Sequence, residues 1–338
     1  MLGRRYLCVV LGVAIYSAVA GFLLPQGEAA GPIVLKLAHA HPATDSLFGP
    51  ASTRFAESVK GLTNGGVDVQ VFHGGSLTAD EREMTESVKL GSLDMAVIAS
   101  PQLTGYTPTV KVFDLPFIFR DHAQAVKVLD GPIGEAVRDD LESKGILILE
   151  YWSCGIRSVF TNVKPIRNPD DLKGLKIRVM PTPVYIDTFK ALGALPVAMG
   201  SSELYLALQM GVVDAGENDP ASVIDWKWVE VVKYYSLTQH GFCACPLIMN
   251  SKTFHSLPGD VQLAIRKAGR ESTAFQRPYA EGLWDRAMKQ IEAKGVKINK
   301  VESLAAFQEK VKGVYDKYDK ELGNGLVRRT LENAQASK

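Results

Sequence analysis

Several residue classes that mark common protein functions are scarce in this chain of 338 residues. Lysine and arginine number 38 against 37 aspartates and glutamates, so the formal net charge is only +1. No basic surface is therefore expected, and the sequence predicts no nucleic-acid partner. The six histidines form no i, i+4 pair with an acid between them, and no cysteine spacing resembles a zinc site. The sequence thus predicts no metal site and no cofactor.

Residue groupings typical of catalysis are also missing from the sequence. We find no nucleophile next to a general base and no glycine-rich phosphate loop. We therefore predict that the protein is not an enzyme. A secreted enzyme that acts on a hydroxy acid is the alternative, and turnover of a bound organic acid would reveal it.

Long apolar runs are absent except near the N-terminus. Arg4 and Arg5 precede an apolar run at residues 7–24, and a small-x-small site follows at residues 27–29. A basic region, an apolar region and such a site form a secretory signal, so we predict that residues 1–30 are a signal peptide removed on export to the periplasm. The alternative is a retained membrane anchor, because the run is close to the minimum spanning length of about 18 residues.

Cysteine is rare, and its number leaves the redox state open. Cys8 falls in the predicted signal, so the mature chain keeps Cys154, Cys243 and Cys245. In an oxidising compartment, an odd number permits one disulfide plus a free thiol. Cys243 and Cys245 are too close in sequence to favour a bond with each other, so a disulfide would join Cys154 to one of them. Three buried thiols are the other interpretation.

The residues that are present alternate between strand and helix patterns. The apolar spacing predicts strands at 33–38, 67–72, 93–98, 146–152 and 239–248. It predicts helices at 48–62, 80–90, 121–144 with a break at 131–132, 257–294 with a kink at Pro278, and 304–322. Aromatic residues between 225 and 237 are interpreted as a core stripe. Two halves of similar construction follow, and the class is α/β.

An arginine inside an apolar strand is the most informative feature of segment 165–218. Residues 175–179 form a short β-type run in which Arg178 lies between Ile177 and Val179. A guanidinium does not deprotonate, and burying it without a partner is costly. One interpretation is a structural ion pair, which chemistry alone favours because such networks are common. The other is a bidentate clamp for a ligand carboxylate.

A family resemblance reverses that preference. The order and spacing of several short motifs are similar to those of solute-binding proteins of tripartite ATP-independent periplasmic (TRAP) transporters, the DctP-type family. The matching segments are residues 93–95, 114–117, 119–121, 155–157, 161–162, 171–179, 189–193, 202–205 and 207–214. The similarity extends from about residue 35 to the C-terminal helices.

The resemblance implies a two-lobed periplasmic-binding-protein fold with an interlobe ligand cleft and a long helix shared by both lobes. The expected domains are the signal at 1–30, lobe I at 31–154 plus 244–283, and lobe II at 155–243 plus 284–338. The implied function is capture of a small organic acid by hinge closure and its delivery to the membrane permease subunits of a TRAP transporter. We expect a monomer. A binding protein of an ATP-driven importer is the runner-up.

The resemblance also implies site residues. Arg178 takes the position of the arginine that forms the principal salt bridge to the ligand carboxylate, Arg157 that of a second arginine beside it, and Asn218 that of a ligand-bonding asparagine. Ligands of open α/β sheets bind beyond the carboxyl ends of strands, which adds His39 and Ser100.

The far end of the ligand is less defined by the sequence. Ser201, Ala40 and Ala99 replace the phenylalanine, asparagine and glutamate that line the sugar site in sialic-acid-binding members, which argues against sialic acid. The remaining candidates for this end are His39, His41, Trp152 and Phe242.

Overall fold

The computed structural model describes residues 31–335 of the chain. Within them, nine strands form one mixed β-sheet. The predicted signal peptide lies outside the described residues. The strands of this sheet are β1 (Ile33–Ala38), β2 (Val67–Phe72), β3 (Met95–Val97), β4 (Ile146–Thr161), β5 (Lys176–Val179), β6 (Leu195–Ala198), β7 (Ala215–Asn218), β8 (Tyr234–Asn250) and β9 (Lys297–Lys300). Their order is β2-β1-β3-β8-β4-β7-β5-β6, with β9 also paired to β8.

The helices pack against this sheet and against one another. They are α1 (Gly49–Leu62), α2 (Glu81–Leu90), α3 (His122–Leu129), α4 (Pro132–Glu142), α5 (Pro183–Ala191), α6 (Ser201–Gln209), α7 (Pro220–Asp225), α8 (Ser251–Ser256), α9 (Gly259–Ala293), α10 (Leu304–Lys310), α11 (Lys312–Leu322) and α12 (Leu326–Gln335). Short 3-10 turns join some of them. No helix within residues 31–335 is both long enough and apolar enough to span a bilayer.

Two long antiparallel strands connect the halves of the sheet. β4 has 16 residues and β8 has 17, and both exceed the predicted strands 146–152 and 239–248. The pairing register shifts at three places, one of them between Ser153 and Gly155. Gly155 has φ 122°, and an added Cβ would lie 2.5 Å from the Trp284 ring, so only glycine fits there. Such irregularities bend a strand, and they explain why the sequence pattern breaks where the strand continues.

The first half is built as the apolar pattern predicts. β1, β2 and β3 are parallel neighbours, and α1 and α2 lie close to their predicted bounds. The Asp80 side chain accepts a hydrogen bond from the Arg82 main chain at 2.8 Å and caps α2. Gly91 ends this helix in the left-handed region at φ 81°. The predicted break at 131–132 separates α3 from α4.

The second half repeats the parallel strand–helix construction. β5 pairs with β6 and β7 in parallel, and α5 and α6 follow β5 and β6. The preference for serine at helix N-caps favours Ser201 or Ser202 as the cap of α6, but the structure has Gly200 there. The Glu203 side chain accepts a hydrogen bond from the Gly200 main chain at 2.8 Å. The core of this second half contains Phe160, Trp228 and Tyr235, and the last two belong to the predicted aromatic stripe.

The C-terminal region crosses back over both halves. α9 has 35 residues with Pro278 inside it, and it packs against α1, β4 and α7. It therefore touches elements of both halves, as the family resemblance implies. The single helix predicted at 304–322 is divided into α10 and α11 at Val311, whose buried side chain belongs to the main core.

Candidate ligand-binding site

A cavity of about 250 Å³ lies where the beginning of α2 faces the end of β5 and the start of α6. It is lined by Ala79, Asp80, Glu81, Arg82, Gln102, Arg178, Pro181, Met199, Gly200, Ser201, Ser202, Glu203 and Trp226. A larger cavity of about 770 Å³ lies against α10 and α12. We assign the site to the smaller one, because it joins the two halves at strand ends and contains a buried cation.

Arg178 is the buried cation of this cavity. Its side chain comes from β5 and is 1% exposed. The Nε atom donates to the main-chain oxygen of Met199 at 3.0 Å, and Nη2 donates to the Ser201 hydroxyl at 3.1 Å. The Nη1 atom is buried and has no hydrogen-bond partner among the described residues. Burial lowers the pKa of Arg178 to about 10, so the guanidinium is still charged at neutral pH.

No carboxylate pairs with Arg178 in the described chain, so the structural ion pair that its sequence position also suggested is not formed. Nε and one N–H of Nη2 are held by the protein, whereas Nη1, which carries two N–H groups, has no acceptor among residues 31–335. An unpaired buried donor is costly and is rare in native proteins. Arg178 is thus held by Met199 and Ser201, while its Nη1 has no acceptor within the described residues.

Arg157 is held in a network of its own. Its Nε lies 2.7 Å from Glu217 Oε2, and its Nη2 lies 2.9 Å from Glu217 Oε1, which makes a bidentate pair. Its Nη1 donates to Asn218 Oδ1 at 2.6 Å, and His240 Nε2 lies 3.2 Å from Glu217. Burial alone would raise the pKa of Glu217, but the charge of Arg157 and hydrogen bonds from His240 and Arg157 lower it to about 2. Glu217 is therefore ionised.

Through this network, Arg157, Glu217 and Asn218 hold one another in fixed positions. All three side-chain nitrogens of Arg157 donate to Glu217 or Asn218, whereas the Nη1 nitrogen of Arg178 has no acceptor among the described residues. Asn218 also accepts from the main chain of Asp219 at 3.0 Å, which fixes its amide oxygen. Neither residue is among those that line the cavity, although the sequence predicted both as ligand-binding.

The two histidines after β1 occupy different surroundings. His39 Nε2 lies 2.9 Å from His73 Nδ1, and burial lowers the pKa of His39 to about 3, so this ring is neutral. His41 Nδ1 lies 2.8 Å from Asp225 Oδ2. Burial alone would lower the pKa of His41, but the hydrogen bond and charge of Asp225 raise it above its usual value. Because Asp225 ends α7, this contact joins the first half to the second.

The other sequence-predicted residues are placed unequally. Ser201 lines the cavity and bonds Arg178. Ser100 is fully buried, and its hydroxyl donates to Asp114 at 3.3 Å. Trp152 is also buried, and its indole N–H donates to Thr273 of α9 at 3.0 Å. Phe242 packs edge-on against Phe119 with ring centroids 5.6 Å apart. The structure thus brings Ser201 to Arg178 and packs the other three in the interior.

Of the residues that line the cavity, the sequence reasoning named only Arg178 and Ser201 as site residues, and Glu81, Gln102 and Trp226 are among those it missed. Glu81 accepts from the Ala99 main chain at 3.3 Å and also bonds Gln102, and burial raises the pKa of Glu81. Trp226, which we assigned to the core stripe, lines the cavity. The strand-end rule would have reached Glu81 and Gln102, because both follow the ends of β2 and β3.

A cleft between two α/β halves, lined by one buried guanidinium with an unused donor, defines a bilobal binding protein for small anionic solutes. Residues 37–321 match the family model for bacterial extracellular solute-binding protein, family 7, named DctP. The chain belongs to this family, and it is a solute-binding protein of the TRAP type. The family resemblance of the sequence motifs is thereby confirmed.

Known relatives are similar to this chain in sequence and in structure over most of its length. The C4-dicarboxylate-binding periplasmic protein DctP of Rhodobacter capsulatus is 34% identical over 330 residues, which cover 96% of each chain. A TRAP periplasmic solute-binding protein of Roseobacter denitrificans with bound β-D-glucuronate superposes with a TM-score of 0.86 at 31% identity, covering 90% of this chain and all of that one.

A further solved structure is similar to the chain at the same level. The sugar acid binding protein DctPAm of Advenella mimigardefordensis, in complex with galactonate, superposes with a TM-score of 0.88 at 30% identity. The match covers 91% of this chain and 99% of that one. These structures confirm the two-lobed α/β class that the resemblance implied.

Proposed function

We propose that this protein captures a sugar acid, a uronate or an aldonate, in the cleft between its two halves and delivers it to the permease of a TRAP transporter. The observation that carries the proposal is the buried Nη1 of Arg178, which lacks an acceptor while Nε and Nη2 are held by Met199 and Ser201. A ligand carboxylate supplies the missing acceptor in charge-assisted geometry. The glucuronate and galactonate bound to two similar structures support this ligand class.

The charges of the cavity favour a sugar acid over a C4-dicarboxylate, the ligand class of the Rhodobacter relative. A second carboxylate would need a second cation or free N–H donors, whereas the acids Asp80, Glu81 and Glu203 line the cavity, Glu81 half-buried and the other two exposed. The other lining arginine, Arg82, is exposed to solvent. Carboxylate and amide oxygens such as those of Glu81 and Gln102 accept hydrogen bonds from hydroxyl groups. One free guanidinium facing several acceptors therefore suits one carboxylate and a polyhydroxy chain.

Ligand capture by hinge closure follows from the same arrangement. We propose lobes at 31–154 plus 244–283 and at 155–243 plus 284–338, so that the boundaries fall where β4 and β8 cross between the halves. The register shift between Ser153 and Gly155 marks a bend at that crossing. The His41–Asp225 contact of 2.8 Å links the lobes when they are close. Differential affinity of the ligand for the closed form drives the closure.

A thermal-shift screen of the mature protein tests the ligand class. We expect uronates or aldonates to raise the melting temperature more than C4-dicarboxylates and neutral sugars. A ligand at about 100 times its Kd adds about 2.7 kcal/mol to the free energy of unfolding. Stabilisation by a neutral sugar alone would contradict carboxylate capture, and stabilisation by dicarboxylates alone would leave the fold assignment intact but replace the ligand class.

We further expect the mature protein to lack the apolar run at residues 7–24. The basic residues Arg4 and Arg5 and the small residues near Ala29 fit a cleaved export signal. The N-terminal sequence of protein recovered from the periplasm of a native host should begin near Ala30 or Gly31. An intact N-terminus in the membrane fraction would show a retained anchor instead.

A further inference from the structure

Three cysteine thiols that are far apart in the sequence meet where the two long strands cross. Cys243 and Cys245 are two residues apart on β8, so their side chains leave the same face of the strand. Cys154 lies opposite them on β4, at the register shift between Ser153 and Gly155. All three are buried and free, and their sulfur atoms lie within 4.8 Å of one another.

The distance between two of these sulfur atoms matches a shared metal ion better than a disulfide, and the third sulfur lies within 4.8 Å of both. The sulfurs of Cys243 and Cys245 are 3.7 Å apart, whereas bonded sulfurs are about 2.05 Å apart. Thiolates around one metal ion lie about 2.3 Å from it, which separates the sulfurs by roughly 3.8–4.0 Å in tetrahedral or trigonal geometry. We propose that Cys154, Cys243 and Cys245 bind one soft, thiophilic metal ion, and that monovalent copper fits their three-sulfur set.

The number of ligands selects the ion. Among residues 31–335, no fourth histidine, cysteine, aspartate or glutamate atom joins this group. Zinc in structural sites takes four protein ligands. Thiolate ligands select Cu(I), a soft ion, over hard cations that prefer oxygen. A closed set of three thiols therefore favours Cu(I) over zinc, and each thiol that becomes a ligand releases its proton.

The position of the site gives binding a structural consequence. The ion would link β4 to β8 at the crossing between the lobes, in a place that carries none of the residues lining the ligand cavity. A ligand that binds only the folded state stabilises it by mass action. The copper-loaded protein should therefore melt at a higher temperature than the metal-free protein while the cavity keeps its lining.

The test is an anaerobic titration of the reduced mature protein with Cu(I) held by a chromogenic chelator. Because the thiols are buried, each mixture is left to reach equilibrium before it is measured. We expect one Cu(I) per chain to leave the chelator and the melting temperature to rise. Excess Zn(II) should not displace it. Each single substitution, Cys154→Ser, Cys243→Ser or Cys245→Ser, should weaken copper binding by at least about 100-fold, because even outer-shell changes cost 10- to 100-fold.

Folding of the variants is checked independently by sugar-acid binding, which does not use these thiols. Cys154→Ser that still binds the acid but no longer takes Cu(I) supports the site. Copper affinity unchanged in that folded variant, or no copper transfer to the wild-type protein, would overturn it. Isolation of the periplasmic protein with a disulfide between two of the three cysteines would overturn it as well.

Discussion

Replacing Arg178 with alanine should weaken sugar-acid binding by about 2–5 kcal/mol, or roughly 30- to 4,000-fold in Kd. The substitution removes a guanidinium that Met199 and Ser201 hold in position and that has one unused donor. It leaves the ligand carboxylate desolvated without a cation. Arg178→Lys should recover only part of the loss, since an ammonium cannot form two parallel bonds. Calorimetric titration of each variant measures the effect.

Two control variants separate a specific clamp from general charge attraction. Arg82 lines the same cavity but is exposed, so Arg82→Ala removes one positive charge and should change affinity far less. Ser201→Ala removes the acceptor of Nη2 but keeps the guanidinium, so we expect an intermediate loss. If Arg178→Ala instead lowers the melting temperature strongly and leaves affinity near wild type, Arg178 is a structural residue and the clamp is wrong.

Replacing Glu217 with alanine should cost about 3–5 kcal/mol of unfolding free energy. Glu217 is fully buried and pairs with Arg157 through both carboxylate oxygens, at 2.7 and 2.9 Å. Its removal leaves the Arg157 cation buried without a counter-ion. The free-energy cost of that unpaired buried charge, more than the net stabilisation by the ion pair, determines how much stability is lost. Urea denaturation of the two proteins measures it.

A bidentate pair whose carboxylate is exposed provides the control for Glu217. Arg277 also forms a bidentate pair, with Asp130 at 2.6 and 2.7 Å, but Asp130 is 46% exposed. Asp130→Asn should therefore cost no more than about 1 kcal/mol. Equal losses in the two variants would contradict the assignment of Glu217 as a buried counter-ion.

The stability difference between wild type and Glu217→Ala should also depend on pH. The pKa of Glu217 falls from 4.5 to about 2 on folding. A carboxyl whose pKa is depressed contributes stability above its unfolded pKa and loses it as the pH falls through its folded pKa. The difference should shrink between about pH 4.5 and 2, below the range in which the contact of His240 with Glu217 adds its own pH dependence. A difference that grows between pH 4.5 and 2 would have the wrong sign.

The sequence predicts much of the fold because local patterns determine it. β1 and β2 were predicted with the observed bounds, and the helix break before Pro132 was predicted from its Gly-Pro pair. The lengths of β4 and β8 were underestimated. Both strands pass the crossing through register shifts, and Gly155 with its positive φ interrupts the apolar pattern there although the strand continues.

The site was predictable only in part, because side-chain pairing is decided across long sequence separations. Arg178 could be identified as unusual from its apolar neighbours, but nothing local shows that its fork is held by Met199 and Ser201. The resemblance ranked Arg178 above Arg157, but the pairing of Arg157 with Glu217 could not be predicted, since the two residues are 60 positions apart. The sequence left open whether Cys154 reaches Cys243 or Cys245, and the structure shows all three as buried free thiols close to one another.

The most direct measurement of carboxylate capture combines a change in the ligand with a change in the protein. The tightest sugar acid from the screen and its uncharged methyl ester are each titrated into wild type and Arg178→Ala. We predict that wild type prefers the acid over the ester by about 2–5 kcal/mol and that the variant shows little preference. An equal preference in both proteins would contradict the account, because the ligand carboxylate would then be recognised by some group other than Arg178.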